Sequence, residues 1–158
     1  VTFNAAISAC SRGREFAAAL ALRSMMVRKG VEPDVITFNA GISACERSAE
    51  WQEALGLLTQ MRWQALEPNS ITYSTAISAC SKGHEWALAL ALLDEMSISK
   101  VALCTVACNA AVSACENGGA WAPALALLRR LASERLAPSL ITFNAAASAC
   151  EKGRRWEA

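Results

Sequence analysis

One histidine, one tyrosine and four prolines in 158 residues leave little material for the commoner kinds of active site. His84 is the only imidazole. It stands in a turn between helical stretches, with no Ser or Cys nucleophile set beside it by a recognisable motif, so no catalytic residue is assigned and the chain is read as a non-enzyme without cofactors. No apolar run approaches the 18 or so residues a membrane span requires, because Arg, Glu or Gln interrupts each one, and a soluble chain with no membrane partner is expected. No charge of one sign dominates: 15 basic against 14 acidic residues leave a net +1, so a polyanion would be held only by locally placed groups. Aromatics are 6% of the chain, and the 54% hydrophobic content is carried by Ala, Leu and Cys, a composition that suits close helix packing and argues against disorder. There is neither an initiator Met nor a targeting segment, and the expectation is of a piece excised from a longer array.

What the chain has in abundance is repetition. Thr2-Phe3-Asn4 returns as Thr37-Phe38-Asn39, Thr72-Tyr73-Ser74, Ala107-Cys108-Asn109 and Thr142-Phe143-Asn144, a period of 35 held without a slip. A fixed period of this size means a solenoid whose units bury their apolar faces only against neighbours, and whose usual output is an extended binding surface. The units run over residues 1–34, 35–69, 70–104, 105–139 and, truncated, 140–158.

Each unit reads as two helices. In the second unit Phe38, Ile42 and Cys45 form the stripe of a short helix A starting at Thr37, and Trp51, Ala54, Leu55, Leu57, Leu58 and Met61 form that of a longer helix B. Gly13, Gly83 and Gly153 stand where helix A should stop. Glu32-Pro33-Asp34, Glu67-Pro68-Asn69 and Ala137-Pro138-Ser139 close units, because Pro keeps helix B from running into the next helix A. The expected fold is all-α, a right-handed α-solenoid of antiparallel helix-turn-helix hairpins. Arg23 departs from it, standing where Leu58, Leu93 and Leu128 stand, as though the first unit met no neighbour or a different one.

The cysteines do not suggest a disulfide framework. Cys10, Cys45, Cys80, Cys115 and Cys150 share one column. Equivalent positions of stacked helices lie roughly 8–10 Å apart, beyond the ~7 Å a disulfide allows, so buried thiols are expected. Cys104 with Cys108 lacks the further ligands that zinc requires, and no metal is assigned.

With the core stripes removed, three polar columns remain. Asn4, Asn39, Ser74, Asn109 and Asn144 lie early in helix A, two positions after the Thr that capping explains, where Ala would make a better helix. Asp34, Asn69, Cys104 and Ser139 end the turns between units, and Asp34 also fits a cap. Arg12, Arg47, Lys82, Asn117 and Lys152 end helix A, where a cation suits the helix dipole and a row of cations equally suits a row of phosphates.

Thr-Phe-Asn at the start of helix A, Ala-Ile-Ser-Ala-Cys along it, Ala-Leu-x-Leu-Leu followed by Met in helix B, the Glu-Pro-Asp/Asn closure and the period of 35 together resemble pentatricopeptide repeat proteins over the whole chain. The resemblance implies sequence-specific binding of single-stranded RNA, one base per repeat, read by the first column and the residue closing the same unit. It further implies that Val1, Ile36, Ile71, Val106 and Ile141 stack on the bases, with Arg12, Arg47, Lys82 and Lys152 the phosphate contacts. Carried over pair by pair, it implies U for Asn4 with Asp34, C or U for Asn39 with Asn69, and C for Asn109 with Ser139. Ser74 with Cys104 departs from the common pairs and hints at a purine, giving 5′-U-C/U-N-C-3′. It also implies a plastid or mitochondrial location and a role in RNA processing, stabilisation, editing or translation. The alternative is a tetratricopeptide-like peptide-binding scaffold, which would carry varied, often charged side chains rather than a nearly uniform Asn column.

Overall fold

A computed structural model describes residues 2–134, 136 and 138–153, so Val1 and the residues beyond Gly153 lie outside it. Among the described residues the chain forms helix A of each unit as α1 (Thr2–Arg12), α3 (Val35–Arg47), α5 (Ser70–Lys82), α7 (Thr105–Asn117) and α9 (Leu140–Lys152), and helix B as α2 (Phe16–Arg28), α4 (Trp51–Trp63), α6 (Trp86–Ile98) and α8 (Trp121–Ser133). Each A helix packs on the next A helix, α1 on α3 through to α7 on α9, and each B helix packs on its own A helix and the following one. The fold is a right-handed solenoid of helical hairpins. Small buried residues let the inner backbones approach: Gly41 and Ala44, Ala76 and Ala79, Ala111 and Ala114. B helices make no comparable backbone approach to one another, and long side chains bridge them instead. Arg23 donates to Gln60 at 2.8 Å, Arg62 pairs with Glu95, and Arg130 reaches Asp94 at 2.6 Å.

Helix A starts two residues earlier than its apolar stripe predicts. Asp34 is the N-cap of α3 and Thr37 its reciprocal partner: Thr37 N donates to Asp34 Oδ1 at 2.8 Å, while Thr37 Oγ1 accepts from Asp34 N at 3.3 Å. Asn69 with Thr72 and Ser139 with Thr142 repeat the box. The cap therefore belongs to the second polar column, and the Thr completes it. At the fourth unit Ala107 has no hydroxyl to return, and Cys104 Sγ accepts from Ala107 N at 3.5 Å alone.

Gly83 and Gly153 are the C-caps of α5 and α9, so they end helix A as the sequence implies, and they do so without a left-handed backbone. Gly83, Gly118 and Gly153 sit at φ −80°, −89° and −76°, and the left-handed residue is the next one, His84 at 60° and Gly119 at 63°. What these glycines provide is room. The indoles of Trp51, Trp86 and Trp121, each at the head of the preceding unit's helix B, lie against them, and a Cβ on Gly83 would fall 2.7 Å from Trp51 Cγ. The first unit has Phe16 in place of Trp, and the facing position is Ser48 rather than Gly.

Arg23 does meet a neighbour. Its guanidinium lies 5.5 Å from the Phe38 ring centroid, so it packs across the tier boundary in place of the Leu found elsewhere. All seven cysteines are free, with Cys45, Cys80, Cys108 and Cys115 buried and Cys10, Cys104 and Cys150 half-buried. Burial chiefly raises the four buried thiols to about 11. Iodoacetamide at pH 8 under native conditions should therefore modify Cys10, Cys104 and Cys150 at least tenfold faster than the buried four. Uniform labelling by mass spectrometry would contradict this packing.

Candidate nucleic-acid interface

The first polar column lies in the second turn of each A helix, and its four Asn members are not packed inside. Asn4, Asn39 and Asn109 are half-buried, Asn144 is exposed and Ser74 is buried. Each half-buried amide oxygen meets the Thr hydroxyl of the following unit: Asn4 Oδ1 accepts from Thr37 at 2.6 Å, Asn39 Oδ1 from Thr72 at 2.7 Å and Asn109 Oδ1 from Thr142 at 2.5 Å. The same Thr residues hold the caps, so the first and second columns converge on one spot at each tier boundary. In the first unit they touch directly, with Asn4 Nδ2 donating to the Asp34 carboxylate at 3.2 and 3.3 Å.

The Thr residues were the part that sequence reasoning took for caps alone. Their signal was present in the one junction that breaks the pattern, where Ser74, Cys104 and Ala107 replace Asn, Asp/Asn/Ser and Thr together. There the Ser74 hydroxyl turns back to the Ile71 carbonyl at 3.1 Å and is consumed within its own helix.

Electrostatics at the first boundary favour an anion. Burial by itself would raise the Asp34 carboxyl, but hydrogen bonds from the Thr37 backbone and hydroxyl and from Asn4 bring it below its ordinary value. A folded value below the unfolded one means the contribution to stability is present above the unfolded pKa and fades as pH falls through the lower folded one. Asp34 is thus a carboxylate, an acceptor only, at neutral pH.

Ile36, Ile71, Val106 and Ile141 stand three residues before the column on the same helix face, and they are 62%, 63%, 66% and 66% exposed. Val1 lies outside the described residues. Four aliphatic side chains left open at one repeating position form a ladder beside the amides, although exposed apolar residues also occur on outer helices, at Trp63 and Ile98.

The cation column divides in two. Lys82 pairs with Glu46 of the unit above at 2.6 Å and Lys152 with Glu116 at 3.2 Å, while Asn117 donates to the Ser81 carbonyl at 3.0 Å. These contacts tie consecutive A helices together. Arg12 and Arg47 are exposed at the other end, where the residue above Arg47 is Ser11 and offers no carboxylate. A hollow of about 550 Å³ lies elsewhere, at the turn after α2, lined by Val27, Val31, Pro33, Gln64 and Leu66 among others, and no column residue enters it. No group of three or more His, Cys, Asp or Glu among the described residues could hold a metal ion.

Comparison with known proteins was made on sequence and on structure. The PPR repeat family model matches residues 1–47 and 33–82, a pentatricopeptide repeat domain model matches 91–152, and a PPR repeat model matches 71–101. Maize pentatricopeptide repeat protein PPR10 superposes with a TM-score of 0.84 at 24% identity, covering 98% of this chain and 22% of its own. A cysteine-to-serine variant of PPR10, solved in complex with an 18-nt psaJ RNA element, gives 0.82 at 28% identity, with coverages of 98% and 23%. The PPR domain of Arabidopsis thaliana protein-only RNase P 1, solved in complex with tRNA, gives 0.81 at 14% identity, with coverages of 96% and 80%. This chain spans less than a quarter of the length of PPR10. No curated protein sequence matches it.

Proposed function

This chain belongs to the pentatricopeptide repeat family, and from that premise we propose that it binds single-stranded RNA along its inner helices, one nucleotide per repeat. The observation that carries the reading is an exposed aliphatic side chain one helical turn before an amide, Ile36 with Asn39, Val106 with Asn109 and Ile141 with Asn144. A base needs both. Its faces gain by covering apolar surface, and its edge needs a short, fixed polar group. Successive aliphatic residues such as Ile36 and Ile71 would clamp one base, and the amide between them would meet its edge.

The chemistry of the second column supports the order 5′-U-C/U-N-C-3′. The Asp34 carboxylate can only accept, which suits the N3–H donor of uracil and repels the N3 acceptor of cytosine. Asn69 carries an amide that can donate, and Ser139 a hydroxyl that can, and both tolerate cytosine. Arg12 and Arg47 are the cations left open to phosphate, whereas Lys82 and Lys152 would have to share their ammonium groups with Glu46 and Glu116. With a net charge of +1 and four complete reading positions, this stretch alone binds weakly, and a longer array would supply the affinity. The reading is of a binding array rather than an enzyme, acting in organellar RNA processing, stabilisation, editing or translation, in a plastid or mitochondrion by family likeness.

The test is a selection from a randomised RNA pool. Asn39→Thr, with Asn69 retained, should move the second selected nucleotide from pyrimidine toward A, by about 1–3 kcal/mol of discrimination. An unchanged selected motif would remove the base-reading role. A peptide-binding scaffold would give no selected motif at all.

A further inference from the structure

We propose that Thr37, Thr72 and Thr142 are positioning residues for base reading in the preceding repeat, each pinning the Asn oxygen one tier up so that the amide nitrogen is what the groove presents. The inference rests on the RNA-reading proposal above and adds the residue that sets the polarity of the amide. An Asn side chain is ambivalent, with an acceptor on one side and donors on the other, and a half-turn about its last torsion exchanges them. Left to rotate, it would meet a purine edge or a pyrimidine edge with comparable ease. Something must fix it if it is to discriminate.

The geometry shows what fixes it. Each Thr hydroxyl already accepts from the backbone N–H of its cap residue, Asp34 at 3.3 Å, Asn69 at 3.1 Å and Ser139 at 3.0 Å. Its single proton is therefore free to give, and in the first boundary it is shared between Asn4 Oδ1 at 2.6 Å and Asp34 Oδ1 at 2.7 Å. In the second boundary the Asn69 oxygen is filled by Ile71 N and Thr72 N, both at 3.0 Å, which leaves the Asn39 oxygen at 2.7 Å as the better acceptor. All three Thr residues are fully buried, so water does not compete for the proton. With Oδ1 held, Nδ2 of Asn39 and of Asn109 turns toward the open side, where a donor suits the O2 carbonyl that cytosine and uracil share and purines lack at that edge. Asn4 Nδ2 turns the same way and meets Asp34.

The junction that lacks the Thr is consistent with this coupling. Ala107 offers no hydroxyl, and the residue it would have pinned is not Asn but Ser74, whose hydroxyl is spent on its own helix. Asn and Thr are present together at three boundaries and absent together at the one between the third and fourth units. The third repeat is accordingly a spacer that clamps a base without reading it.

The experiment measures anisotropy of the folded chain with labelled RNAs carrying the target tetranucleotide in an oligo(A) flank, varied at one position at a time. Thr72→Val removes the hydroxyl and keeps the shape. It should reduce pyrimidine preference at the second nucleotide from about tenfold to within about twofold, leaving the first and fourth positions unchanged. Thr72→Ser should restore it, which a packing role would not do. Should Thr72→Val keep its discrimination while Asn39→Thr changes it, the positioning role is overturned and base reading stands. Should neither change it, base reading itself fails. A gain-of-function arm does not depend on Thr72→Val folding well. Ser74→Asn with Cys104→Asn and Ala107→Thr should create a pyrimidine preference of about tenfold at the third nucleotide, and the same pair of Asn substitutions with Ala107 kept should create less than a third of it. Equal preferences with and without the Thr would overturn the proposal.

Discussion

Gly83→Ala is expected to lower the thermal midpoint by about 5–10 °C, a large effect for a single methyl group on a half-buried turn. The added Cβ would sit 2.7 Å from Trp51 Cγ and 2.9 Å from Nε1. The indole is rigid and packs against the core, so it cannot yield as the end of a flexible side chain would. Overpacking of this kind costs about 2–3 kcal/mol. The first unit suggests the remedy, because Phe16 there faces a position filled by Ser48, whose hydroxyl donates to the Arg14 carbonyl at 3.0 Å. Trp51→Phe combined with Gly83→Ser should therefore recover more than half of the lost midpoint, although each change alone is costly. Differential scanning calorimetry decides it, and a Gly83→Ala chain that melts with the parent would show that the ring is not the constraint.

Ile71→Ala should weaken RNA binding by about 5- to 30-fold while leaving the melting temperature within about 2 °C. At 63% exposure Ile71 contributes little to the fold, so truncation would ordinarily be silent. It becomes costly only if something covers the side chain in the working state, and in this reading it lies between the second and third bases. Ile98→Ala is the matched control, 80% exposed but on an outer helix, and should change neither quantity. Anisotropy and a thermal melt on the same preparations separate the outcomes. Unchanged affinity for Ile71→Ala, or an equal loss for Ile98→Ala, would count against the clamp.

The two helices per unit and the burial of Cys45, Cys80 and Cys115 were legible in the chain, because each is a property of positions along one unit, whereas Cys10 and Cys150 of the two end units are half-buried. What was not legible is what meets across a tier boundary. Trp51 and Gly83 are 32 positions apart, Asn39 and Thr72 are 33 apart, and Glu46 and Lys82 are 36 apart. A period of 35 shows that columns exist, not how far one tier is offset against the next, and that offset is set by how closely Ala, Gly and Ser let the inner backbones approach. The same gap hid two further contacts. Gly83 does end helix A, but its role as a recess was not legible because it depends on an indole from another unit. Thr72 does complete a cap, and its second partner, Asn39, was not legible because it lies one unit back.

The unequal separation of the two helical layers has a mechanical consequence. The inner backbones touch, whereas the outer ones are joined across a gap by guanidinium, carboxylate and amide groups such as Arg62 with Glu95. The stack is thus a stiff spine with a compliant rind. Altering the spacing of the rind lengthens or re-forms polar bridges that water and salt can replace, while the closely packed spine resists the same change. Under the proposed RNA reading, a nucleotide pitch that differs from the tier pitch would be met by stretching or tightening the coil about the spine.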